Sequence, residues 1–341
     1  MTLFKEKIET FKSLLNRVNI ISVIPHKSPD GDAIGSGTAL VTALKLKGYD
    51  VKLIVPDEIP PNLCWMYGAD DALNYEKSCI EAEKRVDETE LLIFLDFNTI
   101  TRTGDKLSAK LNRHKERIDS VCIDHHPYPD FQMANLFFSD TTVSSTCELI
   151  FNILKELQIG VNREIAESLY AGIMTDTGML NHNSSRFEIY NIVGELVKHG
   201  VDKEKVHKLV FHSHSFDRMK LLGHALCNKM ELTANGRAAF IVLSYNDLKK
   251  FNYKTGDTEG LVNYPLSIDK VLVSALITEK EKNIMKLSFR SRGDIHVNKY
   301  SEINFSGGGH RNAAGGEMKG DLNKVVDVFN KTVEEFINNS N

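Results

Sequence analysis

Four short segments of this 341-residue chain carry side chains whose types and spacing suit chemistry. They are His26-Lys-Ser-Pro-Asp30-Gly-Asp32, Asp96, Asp124-His125-His126, and Asp176 within Met174-Thr-Asp176-Thr-Gly178. Carboxylates with imidazoles and no thiolates suit Mn²⁺ or Mg²⁺, whereas a closed zinc site usually recruits cysteine or more histidine. Four aspartates brought to one place would repel one another by about 4 kcal/mol per pair at 4 Å in an effective dielectric of 20, so something positive must hold them. Two divalent ions roughly 3.5 to 4 Å apart share bridging ligands, and a water between them ionises near neutral pH. Hydrolysis of a phosphate ester is the chemistry such a pair serves. Singly, each segment has an ordinary reading: a D-x-D in a Pro/Gly turn is solvated, Asp96 and Asp176 cap a strand end and a helix or turn, and paired histidines sit on the surface or in a core.

Whether the segments meet depends on the elements that carry them. The first half alternates β-branched apolar runs with helical patterns, the signature of a parallel sheet covered by helices. Strands are expected at Ile20 to Ile24, Val51 to Val55, Leu91 to Leu95 and Val121 to Ile123, with a helix from Ala33 to Lys47 stopped by Gly48. In such sheets ligands bind outside the carboxyl ends of the strands. His26, Asp96 and Asp124 each follow a predicted strand, which makes the separate ordinary readings hard to sustain together. From Ser144 to about Phe211 the spacing is helical, and strand-like runs recur at 238–243, 271–277 and 285–289 before a last amphipathic helix at 322–337. The expected organisation is α/β, with a parallel-sheet domain and flanking helices at 1–200, a helical linker at 201–230 and a smaller α/β domain at 231–341.

Composition narrows the partners. Hydrophobic residues make up 42% and charged residues 26%, which is globular and argues against a disordered or fibrous chain. No apolar stretch approaches the roughly 18 residues of a membrane span, and the charged first ten residues do not resemble a secretory signal, so a cytoplasmic protein is expected. Five scattered cysteines with no C-x-x-C pair suggest neither a disulfide framework nor a zinc knuckle. A net charge of −4 gives no bulk attraction for long nucleic acid. Between Val271 and Gly320 eight Lys/Arg face five acids, a modest basic patch.

The set His26-x-x-x-Asp30-x-Asp32, Asp96, Asp124-His125-His126 and Asp176 resembles the DHH phosphoesterase superfamily, whose namesake motif is the triplet. Gly307-Gly-Gly-His310-Arg-Asn-Ala-Ala-Gly-Gly316 resembles the glycine-histidine motif of the associated C-terminal domain. The resemblance spans about residues 20 to 320. It implies that two Mn²⁺ (or Mg²⁺) are held by His26, Asp30, Asp32, Asp96, His125 and Asp176, with Asp96 bridging. His126 would point at the scissile phosphate and Asp124 would support the site from behind, so that His126, Asp96 and Asp124 form the catalytic group. Ser144, Ser145 and Thr146 match a Ser-Ser-Thr segment of the family, with supporting contacts to the site or a helix N-cap as the two readings. In the C-terminal part the resemblance assigns Arg290, Ser291, Gly308, Gly309, His310 and Arg311 to substrate, with glycines that let backbone amides approach an anion. Arg102 and Arg186 are weaker candidates. Ser306 stands where many relatives extend the glycine run, and the segment after Asp176 lacks the aromatic and arginine common in the family.

Within the superfamily, single-strand exonucleases need further domains, and the pyrophosphatases carry a basic Ser-Arg-Lys-Lys signature absent here. The two-domain pattern is closest to the nanoRNase/pAp phosphatases. Short oligoribonucleotides and 3′-phosphoadenosine 5′-phosphate (pAp) are the implied substrates, with no long duplex and no membrane partner. Dimerisation is left open. The alternatives are hydrolysis of cyclic or linear dinucleotide messengers, and a non-catalytic nucleotide-binding regulator.

Overall fold

The run Leu91 to Leu95 is buried at every position, with Leu91, Ile93 and Leu95 in one apolar core and Leu92 and Phe94 in another. A strand buried on both faces lies inside a three-layer fold. The computed structural model describes residues 2–340, and its first unit, Met1–Ser213, has that architecture. In chain order the elements are α1 (Thr2–Leu15), β1 (Ile20–Pro25), α2 (Gly31–Leu46), β2 (Asp50–Val55), β3 (Leu73–Asn74), α3 (Cys79–Glu88), β4 (Leu91–Leu95), α4 (Asp105–Lys115), β5 (Asp119–Asp124), β6 (Leu136–Ser139), α5 (Thr146–Glu156), α6 (Arg163–Asp176), α7 (Phe187–Lys198) and α8 (Lys203–Phe211). The strands are all parallel, in the order β3-β2-β1-β4-β5-β6. Helices α3 and α4 cover one face and the remaining six helices the other.

That order reverses between β1 and β4, and the crevice at the carboxyl ends of the strands flanking such a reversal is where these sheets bind ligands. His26 directly follows β1, Asp96 directly follows β4, and Asp124 ends β5. Helices α2 and α6 add the rest. They pack closely through small residues: a Cβ on Gly35 of α2 would lie 2.6 Å from the backbone oxygen of Ser168 on α6, so only glycine lets the two helices come this near. The contact brings Asp176, the last residue of α6, toward the N-terminus of α2.

The second unit, His214–Asn341, contains α9 (Phe216–Asn228), β7 (Met230–Leu232), β8 (Ala238–Leu243), α10 (Tyr245–Lys250), β9 (Val273–Glu281), β10 (Ile284–Ser291), α11 (Val297–Phe305), β11 (Gly308–His310), β12 (Ala313–Lys319) and α12 (Leu322–Asn339). Its sheet runs β11-β12-β10-β9-β8-β7 and is antiparallel except for the parallel pair β8 and β9. Phe240, Phe289, Tyr300, Phe305 and Phe329 fill the core under α11 and α12. The segment 201–230 is divided between the units: Val206 and Val210 of α8 join the first unit's core, and Leu221 and Ala225 of α9 pack in the second. No helix among the described residues is long and apolar enough to cross a membrane.

Candidate functional site

The loop after β1 is shaped by a residue the sequence reading passed over. Asp57, just beyond β2, accepts from the Ser28 amide at 2.7 Å and the Ser28 hydroxyl at 3.2 Å, holding Ser28 at φ 55. This turns the chain so that His26 and Asp30 face one way. Asp30 caps α2, accepting from the amides of Asp32 at 3.0 Å and Ala33 at 3.1 Å. Burial pushes its carboxyl up, but His26 and the Ala33 amide bring it below the ordinary range. His26 pairs through Nδ1 with its neighbour's carbonyl, Lys27 O, at 2.9 Å. A carbonyl can only accept, so Nδ1 carries a proton, and burial lowers the pKa of the ring.

Asp96 is the centre. It is 2% exposed and sits at φ 64. Its Oδ2 lies 3.5 Å from His26 Nε2, and its Oδ1 lies 3.5 Å from His125 Nε2. His125 Nε2 is also 3.8 Å from Asp32 Oδ2 and 3.6 Å from Asp176 Oδ2, while His26 Nε2 is 3.9 Å from Asp30 Oδ1. Donor atoms of His26, Asp30 and Asp96 lie within 4.8 Å of one another, as do those of Asp32, Asp96 and His125. The six residues expected to bind metal therefore come together, with one oxygen of Asp96 facing each group.

The N-terminus of α5 holds the second group in place. The amides of Thr146 and Cys147 donate to the two oxygens of Asp32 at 2.6 and 2.9 Å, and the Thr146 hydroxyl donates to Asp96 Oδ1 at 2.9 Å. Even so, burial and the nearby Asp176 push Asp32 up to about 7, and burial with Asp32 pushes Asp96 well above the carboxylate range. His126 Nδ1 pairs with Asp124 Oδ1 at 2.7 Å, which orients the ring. Asp124 is fully buried and pushed up to about 6 by that burial.

These residues fit divalent cations on structural grounds. Nε2 of His26 lies 3.5 and 3.9 Å from carboxylate oxygens of Asp96 and Asp30, beyond ordinary hydrogen-bond length yet close enough for all three to share one ion's coordination sphere. Clustered buried carboxylates of raised pKa describe a site whose positive charge comes from outside the chain.

In the second unit, Arg290 pairs with Ala313 on β12, and Ala313 pairs in turn with His310 on β11. Residues in register share a face, so Arg290 and His310 flank a small alanine with Cα atoms about 10 Å apart. The next row, Phe289 and Ala314, faces the core. Ser291 is buried and occupied in the turn: it donates to Ile295 O at 2.6 Å and accepts from Asn312 Nδ2 at 2.9 Å. Gly308 and Gly309 lie in β11, so the glycine stretch forms an edge hairpin. A Cβ on Gly307 would sit 2.0 Å from Gly315 O of β12 and 2.1 Å from Ser301 Oγ of α11, which presses onto this hairpin. Ser306 closes α11 at φ 46, a conformation that favours glycine. Arg311 pairs with Asp294 at the surface. Arg186 bonds Glu148 Oε1 at 3.0 Å and Thr142 O at 2.9 Å, a bracing role.

Sequence reasoning missed Asp57, Glu148 and Asn312. Glu148, a buried acid three residues past the N-cap Ser145, accepts from the Ser144 amide and hydroxyl at 2.8 and 2.9 Å. Its spacing from Ser145 is a capping-box signal that could have revealed it.

Residues 20–173 match the DHH family N-terminal domain, and residues 237–339 match the DHHA1 domain. The chain belongs to the DHH family of metal-dependent phosphoesterases. It is similar to the "Probable bifunctional oligoribonuclease and PAP phosphatase NrnA" of Streptococcus mutans, 29% identical over 89% of this chain and 92% of the relative. It is also similar to the bifunctional oligoribonuclease and PAP phosphatase NrnA of Bacillus subtilis, 27% identical over 86% and 87%. A crystal structure of an exopolyphosphatase-related protein from Bacteroides fragilis superposes with a TM-score of 0.89 at 36% identity, covering 97% of this chain and 96% of that one.

Proposed function

We propose that this chain hydrolyses short oligoribonucleotides to mononucleotides and converts pAp to AMP and phosphate, with two Mn²⁺ or Mg²⁺ ions. One observation carries the two-ion reading: the oxygens of the single buried carboxylate Asp96 face two different histidines, each at 3.5 Å. His26 and Asp30 would hold one ion and Asp32, His125 and Asp176 the other, with Asp96 available to both. Bound there, the ions neutralise the carboxylates, polarise the phosphate and lower the pKa of water. His126, oriented through Nδ1 by Asp124, meets the scissile phosphate, and the Thr146 hydroxyl fixes Asp96. Arg290 and His310 take a substrate phosphate, with the backbone of Gly308 and Gly309 beside them, while Ser291 sets the turn and Arg311 lies further out.

The relatives named oligoribonuclease and PAP phosphatase support this substrate class. A panel of pApA, pAp, a cyclic dinucleotide, pyrophosphate and a short polyphosphate, each with Mn²⁺, tests it. Turnover of pApA and pAp well above the other three is expected. A preference for the cyclic dinucleotide or polyphosphate would replace the assignment while leaving the metal chemistry.

A further inference from the structure

Backbone strain gathers at one rim of the first unit. Non-glycine residues with positive φ follow three neighbouring strands: Ser28 (φ 55) after β1, Asp96 (φ 64) after β4 and Tyr128 (φ 58) after β5. Bulky residues enter this region only where their surroundings compel it, and such strain collects at functional sites. For two of the three the use is visible, since Ser28 turns the loop that bears His26 and Asp96 is the central carboxylate. Tyr128 has no such use within the fold. It is 71% exposed, and its side chain makes no hydrogen bond or ring contact among the described residues.

The backbone beneath that ring is nonetheless fixed. Asn98 Nδ2 donates to Pro127 O at 2.7 Å, and the Asp130 amide donates to Asn98 O at 2.8 Å. Pro127 and Pro129 lock φ on both sides of the tyrosine. Asn98 lies two residues beyond Asp96, so this clamp ties the tyrosine loop to the strand end that bears the central carboxylate. Nearby Phe131 is also exposed, but its ring packs on Phe137 with centroids 5.2 Å apart. Unlike Phe131, Tyr128 presents a bare aromatic ring, on a rigid turn, two residues past His126. Base stacking asks for that: a pre-oriented ring face and no particular hydrogen bond.

We infer that Tyr128 stacks on a base of the bound oligonucleotide and so positions the substrate. This rests on the nucleotide-substrate assignment above. The test uses the full-length protein with Mn²⁺, the variants Tyr128→Ala, Tyr128→Phe and Tyr128→Gly, and three substrates: pApA and the two dinucleotides that each lack one base. On pApA, Tyr128→Ala is expected to raise KM by about tenfold or more with kcat little changed, and Tyr128→Phe to stay near wild type. On the dinucleotide lacking the stacked base, wild type and Tyr128→Ala are expected to be equal. Tyr128→Gly should lose affinity like the alanine variant while melting higher than wild type, because glycine relieves the positive φ. That opposition is not expected of a residue that only shapes the loop. Equal kcat/KM of wild type and Tyr128→Ala on pApA would overturn the stacking role and leave the proposed function standing. Persistence of the alanine defect on both base-deficient substrates would also overturn it. Failure of the wild type on both pApA and pAp would remove both proposals.

Discussion

Asp96 in the first unit and Asp247 in the second are both buried aspartates, 2% and 8% exposed, in opposite circumstances. Around Asp247 the chain supplies its own compensation: Lys229 Nζ and His224 Nε2 each at 2.9 Å, and the Ser244 hydroxyl at 2.6 Å within a helix capping box. Burial pushes Asp247 up, and Lys229, Ser244 and His224 more than reverse it, so its carboxyl titrates well below the usual range. Around Asp96 the chain supplies three imidazoles, one hydroxyl and further carboxylates, and the balance goes the other way. A buried acid paired with a cation of the same chain is structural. Acids gathered without one mark a place where charge is completed by something bound.

The sharpest way to break this contrast is to remove each charge. Asp96→Asn is expected to lower kcat on the order of 10³-fold or more, and yet to raise the melting temperature of the chelator-treated protein. A metal-free Asp96→Asn variant that melts lower than wild type would show that the cluster is held by internal contacts after all. Next in size, Thr146→Val keeps the amide bonds to Asp32 but deletes the hydroxyl on Asp96; a 10- to 100-fold loss in activity is expected, as for other groups that orient metal ligands. Steady-state kinetics over a Mn²⁺ titration reads it.

Asp247→Asn should do the reverse of Asp96→Asn, lowering stability by about 1–3 kcal/mol with turnover retained. Because the folded pKa of Asp247 is depressed, its contribution is present above the unfolded value near 4 and is lost as pH falls through the folded value. Asp32 and Asp124 run the other way. Their folded values, about 7 and about 6, exceed the unfolded ones, so their contribution is present at low pH and lost as pH rises through 6 to 7. The smallest expected effect follows: metal-free protein melts a few degrees lower at pH 8 than at pH 5.5, and Mn²⁺ raises the melting temperature more at pH 8. Calorimetry at both pH values, with and without chelator, checks it.

Much of this molecule was legible in advance where the signal is local. The parallel sheet followed from β-branched apolar runs alternating with helical patterns, and a smaller α/β unit from the later strand-like runs. The edge hairpin at Gly308–Lys319 was not, because a glycine-rich run has too few side chains to show a period of two: β12 exists by pairing with β10, and β11 by pairing with β12. Asp57 and Asn312 were illegible for a related reason: each does its work on a hydrogen bond to another segment, and a lone Asp or Asn in a sequence looks solvated, whereas the spacing of Glu148 from Ser145 was a local signal.

Residue chemistry and short-range periodicity thus determined by themselves which side chains could hold a cation or a phosphate and which runs would become strands and helices. The tertiary structure alone decided that one carboxylate faces two histidines through its two oxygens, that β1 and β4 are neighbours, and that a tyrosine is held bare at the rim. Those are distances between atoms up to 70 residues apart, set by strand order and by the close contact of α2 with α6, and no local pattern encodes a distance.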